Sequence, residues 1–307
     1  MRQYRLGASI FVLAVAASTA AMAQTSPAIP QASTALDDVI VTAQRREQAA
    51  QDVGIALSVL SGEDLTNRGI TNVNQLQTAT PNLEIEPAFG GGAAQFRLRG
   101  VGFQDYASNN SPTVGVYVNE VAYPVPVMTQ GLIFDIDRVE VLRGPQGTLY
   151  GRNTTGGAIS FVTRRPTAVM SAGIKAEYGT FDALQVEGYV SGPLSDTVRG
   201  RIAAMTQQGG AFQYNRDTGE SLGDADRTGL RGLLTFEPTD ALSVTLDVHG
   251  GIDKSENQGL YLLSPLVTRG GGAGSVTIPA DTDHRATGWG LSPRFDAEMG
   301  RDVNAKP

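Results

Sequence analysis

Apolar and polar residues alternate along much of the second half of the chain. In the clearest run, residues 242–249, Leu242, Val244, Leu246 and Val248 alternate with polar side chains. A period of two predicts a strand with one apolar and one polar face. Runs of the same kind occupy 171–178, 183–191, 197–207, 227–237 and 287–298. We therefore predict six strands, and Pro293 should impose a bulge or an interruption in the last of them.

The connections between these runs differ in length from one side to the other. Segments 192–196 and 238–241 are short turns, whereas 209–226 and 250–286 are long and polar or glycine-rich. The 179–182 link is a short exception on the long side. Strands of about ten residues with short turns at one end and long loops at the other are typical of a bacterial outer-membrane β-barrel. A soluble β-sandwich would show similar alternation.

The segment that precedes these runs mixes short helices with strands. Residues 55–59 have strand spacing, and Ser61 with Asp64 three positions later predicts a capped helix that Gly69 ends. A second short helix is predicted within residues 71–80. Short helices that lead into strands predict an α+β domain.

Two further strand signals lie at 95–102 and 111–124. The second contains Asn119-Glu120 at the position of a hairpin turn. A type I′ turn needs positive φ at both central residues, which glutamate adopts poorly. We therefore expect a longer turn or one of another type.

Composition limits the chemistry of the chain. The 307 residues include no Cys and only two His, and the formal charge is −7. The acidic balance argues against a nucleic-acid partner, and the lack of Cys excludes disulfides and thiolate metal sites. Neither His249 nor His284 lies in a metal-binding motif, and acid pairs such as Asp135 with Asp137 are interpreted as solvated turn carboxylates. We predict no catalytic residue, no metal site, no cofactor and no enzymatic activity.

The N-terminus predicts export. Arg2 and Arg5 precede an apolar run over residues 6–21, and Ala21-Met22-Ala23 has the small residues of a signal-peptidase site. We predict a signal peptide over residues 1–23 that is cleaved after Ala23; the alternative is an uncleaved anchor. No later run of about 20 apolar residues follows, so a membrane span would have to be built from strands.

A glycine-rich stretch from Asp135 to Pro166 carries the most specific motif, RGPQGTLYGRNTTGG. Gly151 and Gly156 have phosphate-loop spacing, but Gly157 stands where the loop requires lysine. The glycines would in any case permit tight turns. The string resembles a motif of the plug domain of TonB-dependent outer-membrane receptors. Segments 95–102 and 111–124 also resemble plug motifs, and the β-prone segment at 38–43 resembles the TonB box that precedes the plug in this family.

The resemblance implies a domain order. We expect a flexible N-terminus over 24–50 that carries the TonB box at 38–43, an α+β plug domain over 51–166, and the first antiparallel transmembrane strands of a β-barrel over 167–307. Receptors of this family have 22 strands, so we expect the chain to be an incomplete portion of such a receptor. An open last strand should then favour aggregation.

The resemblance also implies a function. We expect energised import of a scarce ligand across the outer membrane, with a ferric siderophore as the leading ligand class. The alternatives are cobalamin or oligosaccharide import, a passive outer-membrane barrel or adhesin, and a soluble periplasmic protein. The implied partners are the TonB C-terminal domain with its inner-membrane energising complex, outer-membrane lipid and the small ligand. The TonB box would bind by adding a strand to TonB.

Three sets of site residues follow from the family motifs. Each set has a simpler interpretation, namely an ordinary strand, solvated strand ends or plain loop residues. The sets are the TonB-binding residues Asp38, Val39, Ile40, Val41, Thr42 and Ala43; the residues Arg99, Glu140 and Arg143 that lock the plug to barrel glutamates expected beyond Pro307; and the ligand-binding residues Gln95, Gln104, Asp105, Tyr106 and Tyr123.

Overall fold

A computed structural model describes residues 39–43, 45, 48–87, 94–103, 111–124, 133–215, 219–239, 241–256, 275–276 and 286–297. Asp38 and the predicted ligand residues Gln104, Asp105 and Tyr106 lie outside the described residues, as does the predicted signal peptide.

The first part of the chain forms an α+β domain around a five-stranded sheet, in the order β3-β8-β9-β6-β7. Strands β6 and β9 are parallel, and the other neighbours are antiparallel. A short ribbon of β4 and β5 and a hairpin of β1 and β2 accompany the sheet. The elements are β1 Ile40–Val41, β2 Gln48–Ala49, β3 Ala56–Ser61, α1 Gly62–Asn67, β4 Leu83–Pro87, β5 Ala94–Leu98, β6 Val114–Val118, β7 Val121–Tyr123, β8 Ile136–Arg143, α2 Gly147–Tyr150 and β9 Gly157–Thr163, with 3₁₀ turns at Ala50–Asp52 and Val73–Thr78.

Local sequence signals explain the helices of this domain. The Ser61 hydroxyl accepts a hydrogen bond from the Asp64 N–H at 3.0 Å, and the Asp64 carboxylate accepts one from the Ser61 N–H at 3.0 Å. Gly69 follows the helix at φ 63°. The predicted capped helix is therefore confirmed. The second predicted helix is a 3₁₀ turn, Val73–Thr78, which Asn72 caps.

The turn between β6 and β7 differs from the prediction. Asn119 and Glu120 have φ values of 47° and 69°, so this is a two-residue turn with both central residues in the left-handed region. The Glu120 carboxylate lies 3.0 Å from Nη1 of Arg294, and the Asn119 side chain bonds to Thr163. Tertiary contacts thus stabilise a conformation that glutamate adopts poorly by itself.

The second part of the chain forms a six-stranded antiparallel sheet, here called the barrel sheet, in the order β10-β11-β12-β15-β16-β18. Every predicted alternating run corresponds to one of its strands, and all neighbours are antiparallel. In the loop after β12, strands β13 and β14 form a small three-stranded sheet with β17, which lies between β16 and β18 in sequence. The elements are β10 Ser171–Tyr178, β11 Leu184–Pro193, β12 Val198–Gly209, β13 Gln213–Asn215, β14 Ser221–Leu222, β15 Ala225–Thr239, β16 Leu242–Asp253, β17 Ser275–Val276 and β18 Ala286–Ala297, with a 3₁₀ turn at Thr180–Asp182 between β10 and β11.

The two faces of the barrel sheet have opposite character. Ile174, Ile202 and Trp289 are 82%, 63% and 85% exposed on one face, whereas Arg201 and Arg231 are buried on the other, against the α+β domain. On β18, Trp289 and Phe295 are six residues apart, about 20 Å along a strand, close to the height of about 25 Å of an outer-membrane apolar band. None of the helices in the described part of the chain has the length and apolar character needed to cross a membrane.

Pro293 neither interrupts β18 nor produces a register shift. It pairs with Leu246 within a continuous ladder from Leu242 to Asp253. The predicted bulge is therefore wrong. Since β18 is an edge strand of the described sheet, a missing N–H is tolerated there.

Candidate functional site

Residues 39–43 dock against the α+β domain as a short strand with two kinds of environment. Val39 and Ile40 are 48% and 47% exposed, whereas Val41 and Ala43 are fully buried. The strand pairs with β2, where Ile40 faces Ala49. One half of this segment is thus accessible and the other half is covered.

A buried carboxylate holds the covered half. Oε1 of Glu140 accepts hydrogen bonds from the Thr42 N–H at 2.9 Å and from the Thr42 hydroxyl at 3.3 Å. The same oxygen pairs with Nε of Arg138 at 2.8 Å. Glu140 is fully buried, so these three donors are needed to stabilise its negative charge away from water.

A tyrosine of the glycine-rich stretch holds the next residue. The Tyr150 hydroxyl donates to the Ala43 carbonyl at 3.1 Å, and Arg45 lies 5.5 Å from the centre of its ring. Tyr117 packs edge-on at 4.8 Å. Burial raises the pKa of Tyr150 to about 12, and the nearby Glu140 carboxylate adds to the effect, so the hydroxyl stays protonated and able to donate. We call Arg138, Glu140 and Tyr150 the box cradle.

Arg138 of the box cradle lines a cavity beside the barrel sheet, together with residues of the box. The cavity has a volume of about 470 Å³, and Ile40 and Thr42 face Thr245 and Arg294 across it. Thr245 lies near the start of β16 and Arg294 near the end of β18. Both positions are close to the end of the sheet where the connections are short.

The β6–β7 hairpin contacts the barrel sheet through a chain of hydrogen bonds. The Tyr123 hydroxyl lies 2.9 Å from Nε2 of His249, whose Nδ1 lies 3.0 Å from the Asp247 carboxylate. The second oxygen of Asp247 accepts from the Asn119 amide at 2.8 Å. The Asp247 carboxylate on β16 therefore binds the hairpin turn directly and orients His249, which binds the end of the hairpin.

A second contact lies just before β8. The Asp135 carboxylate pairs with the Arg201 guanidinium, with Nε at 2.8 Å, and both side chains are only 2% exposed. Nη1 of Arg231 donates to the Phe134 carbonyl at 2.9 Å. The interpretation of Asp135 as a solvated turn carboxylate is therefore wrong, because its side chain is buried and paired. Its partner Arg201 lies 66 positions away in sequence and is brought to it only by the fold.

The predicted lock residues make other contacts in this structure. Glu140 belongs to the box cradle, Arg143 bonds to Ser58 within the domain, and Arg99 is exposed at φ 50°. Among the described residues, no hydrogen bond or ion pair joins these three side chains to the barrel sheet. Their locking role stays a prediction.

The predicted ligand residues that the structure describes are separated from each other. Gln95 is half-buried on β5, next to Glu86 of β4. Tyr123 is 6% exposed and its hydroxyl lies 2.9 Å from Nε2 of His249, so its ring is covered in this structure. The described residues contain no group of three or more His, Asp or Glu side chains placed to hold a metal ion.

Sequence reasoning missed Asp135, Glu187, Arg201 and Arg231. A usable signal exists for the two arginines, because each lies on the polar face of an alternating run, where the barrel sheet meets the domain. Their partners could not be assigned without the relative position of the two parts.

A sheet with an exposed apolar face and a polar face that binds a separate domain defines the class of plugged outer-membrane barrels. Residues 49–158 match the family model described as TonB-dependent Receptor Plug Domain. The pesticin receptor of Yersinia pestis is 32% identical over 199 residues, 63% of this chain and 29% of that receptor. The ferric-pyoverdine BN7/BN8 receptor of Pseudomonas putida is 29% identical over 168 residues, 53% of this chain and 20% of that receptor.

Solved structures agree in fold. The ferric yersiniabactin uptake receptor FyuA from Yersinia pestis has 25% identity and a TM-score of 0.68, with 81% of this chain and 39% of FyuA covered. The ferripyoverdine receptor of Pseudomonas aeruginosa has a TM-score of 0.70 at 18% identity, with 85% and 34% covered, and shows likeness of fold alone. The chain is similar to TonB-dependent outer-membrane receptors over its plug domain at residues 49–158 and over the strands that follow. It spans 29% or less of the length of the two curated relatives described above.

Proposed function

We propose that this protein is an energised importer of a scarce ligand at the outer membrane of a Gram-negative cell, and that a ferric siderophore is the ligand class. The observation that carries the proposal is the docked strand at residues 39–43, held by the box cradle of a plug domain. Support for the ligand class comes from similar proteins that are named as receptors for ferric pyoverdine and for ferric yersiniabactin. In this proposal residues 1–23 direct export and are removed.

Strand addition to TonB requires the main-chain groups of the box. In the docked state, Glu140 and Tyr150 already occupy the Thr42 N–H and the Ala43 carbonyl. Val39 and Ile40 are half-exposed, so they are the residues that a partner strand reaches first. TonB is therefore expected to compete with the box cradle for residues 42–43 and to gain them when the cradle loosens.

The position of the box suits this task. Short turns of outer-membrane barrels face the periplasm, and the box lies close to the short-turn end of β16 and β18. A periplasmic TonB domain would then approach from the side on which the box is half-exposed. Asp38, which lies outside the described residues, is included in the proposed TonB-binding segment.

The remaining site residues complete the proposal. Arg99, which is exposed, and Arg143, which is half-buried, pair with acidic residues of barrel strands other than those described here. Ligand contacts come from Gln104, Asp105 and Tyr106 and from barrel loops. The proposal includes a plug domain over 51–166 and barrel strands from 167 onwards, the bounds expected from the sequence.

Replacement of Ile40 by proline tests the proposal. Proline removes a main-chain N–H and should abolish energised uptake, while ligand binding at the cell surface stays within about twofold because the substitution is remote from the ligand side. Ile40→Leu, which keeps the N–H, is the matched control and should transport normally. Unchanged uptake in the proline variant would refute energised import and favour a passive barrel or adhesin.

Vitamin B12 is the second ligand candidate. The vitamin B12 transporter BtuB of Vibrio vulnificus is 27% identical over 219 residues, 68% of this chain and 34% of that transporter. Uptake of radiolabelled cobalamin and of a panel of ferric siderophores by the same cells separates the two. Import of cobalamin alone would replace the siderophore assignment.

A further inference from the structure

Residues Phe134 and Asp135 are gripped by side chains from three adjacent strands of the barrel sheet. Glu187 comes from β11, Arg201 from β12 and Arg231 from β15. We infer that this contact is the principal anchor of the plug in the barrel, and that its polarity is the reverse of the predicted lock: a plug carboxylate bound by barrel arginines. We call Phe134 and Asp135 the anchor and the three barrel residues the socket.

The main-chain N–H, the carbonyl and both carboxylate oxygens of Asp135 are all hydrogen-bonded. The Asp135 N–H donates to Glu187 at 2.8 Å, and its carbonyl accepts from the Arg164 N–H at 3.0 Å. The carboxylate takes both donors of the Arg201 fork. A bidentate pair of this kind fixes orientation as well as distance. Asp135 is held at φ 56°, a conformation that an aspartate keeps only when its surroundings determine it.

Aromatic contacts hold the two arginines of the socket in place. The Arg201 guanidinium lies 4.1 Å from the centre of the Tyr189 ring, and that of Arg231 lies 4.7 Å from the centre of the Phe134 ring. Stacking of guanidinium on a ring orients its donors. Phe134 is 2% exposed and packs with Ala203 and Met205. Hydrophobic burial and ion pairing therefore act on the same two plug residues.

The shape of the barrel wall also fits the anchor. A Cβ at position 229 would lie 2.8 Å from Cε1 of Phe134, so only glycine leaves room for the ring there. Loss of one partner from a buried ion pair leaves an uncompensated charge, which is far more unfavourable than loss of an exposed pair. The structure contains a suitable exposed pair for comparison, Arg199 with Glu237 on strands β12 and β15, with side chains 38% and 33% exposed.

The anchor can be tested without any reference to import. The protein is expressed from the whole gene in cells that lack TonB, and outer-membrane vesicles are treated with protease. The measured quantity is the rate of plug cleavage in the fraction that migrates as a folded barrel. Asp135→Asn and Arg201→Gln should each increase the rate by about 100-fold, as expected when one partner of a buried ion pair is lost.

Three comparisons decide the outcome. The double variant should be no faster than about threefold above either single variant, because both remove the same pair. Gly229→Ala changes no charge and should still increase cleavage, whereas the matched control Arg199→Gln should leave it within about twofold. Rates for Asp135→Asn and Arg201→Gln that equal the Arg199→Gln rate, or effects that simply add in the double variant, would overturn the inference. Because TonB is absent, this result is separate from the fate of the import proposal.

Discussion

Removal of the Glu140 carboxylate should release the box. In Glu140→Ala the Thr42 N–H loses a charged acceptor at 2.9 Å, and the Thr42 hydroxyl loses its bond at 3.3 Å. Arg138 keeps Asp137 at 2.8 Å, so its charge is not left unpaired and adds little. A hydrogen bond to a charged group contributes about 1.5–3 kcal/mol. We therefore expect box docking to weaken by about 3 kcal/mol, which is about a 100-fold rise in the undocked population.

Thiol labelling measures that population directly. The chain has no Cys, so Val41→Cys introduces a single reporter at a fully buried position. The rate of maleimide labelling should rise about 100-fold in the Glu140→Ala background, and about fivefold in Tyr150→Phe, which removes one neutral hydrogen bond. Glu84→Ala, which breaks an exposed pair with Arg97, is the control. Equal labelling rates in the Glu140→Ala and Glu84→Ala backgrounds would refute the cradle.

Two other predictions concern the plug. Burial favours neutral Tyr150 in the folded state, with a pKa of about 12 against about 10 for free tyrosine, so its contribution to docking is complete below pH of about 10 and is lost as the pH rises through about 12. Tyrosinate absorbance should show a late component that Tyr150→Phe removes. Identical titration curves for the two proteins would contradict this, because the other tyrosines titrate in both. Gly157 has φ 148°, and a Cβ there would lie 2.2 Å from the Leu142 carbonyl oxygen. Gly157→Ala should therefore destabilise the plug by at least about 3 kcal/mol, which is measured as faster proteolysis. The control Gly147→Ala should not change the proteolysis rate, because a Cβ at position 147 meets nothing within 4 Å.

Local patterns predicted much of the fold. The alternation in residues 242–249 places Leu246 outward and Asp247 inward because side chains of a strand alternate between its faces. Ser61 and Asp64 predicted α1 because both partners of a capping box lie within one turn of the helix. Signals that are complete within a few residues can be recognised without the rest of the structure.

Features that depend on distant partners were missed or mistaken. Glu120 was judged unsuitable for the hairpin turn, yet Arg294, which lies 174 positions away, binds it. Asp135 was interpreted as solvated because its partner Arg201 lies 66 positions away in sequence. The box cradle was visible only in part: the box and Glu140 were both singled out, but their contact spans 98 positions and was not predicted.

Binding of the purified TonB C-terminal domain to the full-length receptor tests the central claim most directly. Calorimetric titration should give measurable affinity for the native protein, about 100-fold tighter binding for Glu140→Ala, because the cradle no longer competes for Thr42, and no binding for Ile40→Pro. Absence of binding to the native protein and to Glu140→Ala alike, or equal affinity in all three, would contradict the account.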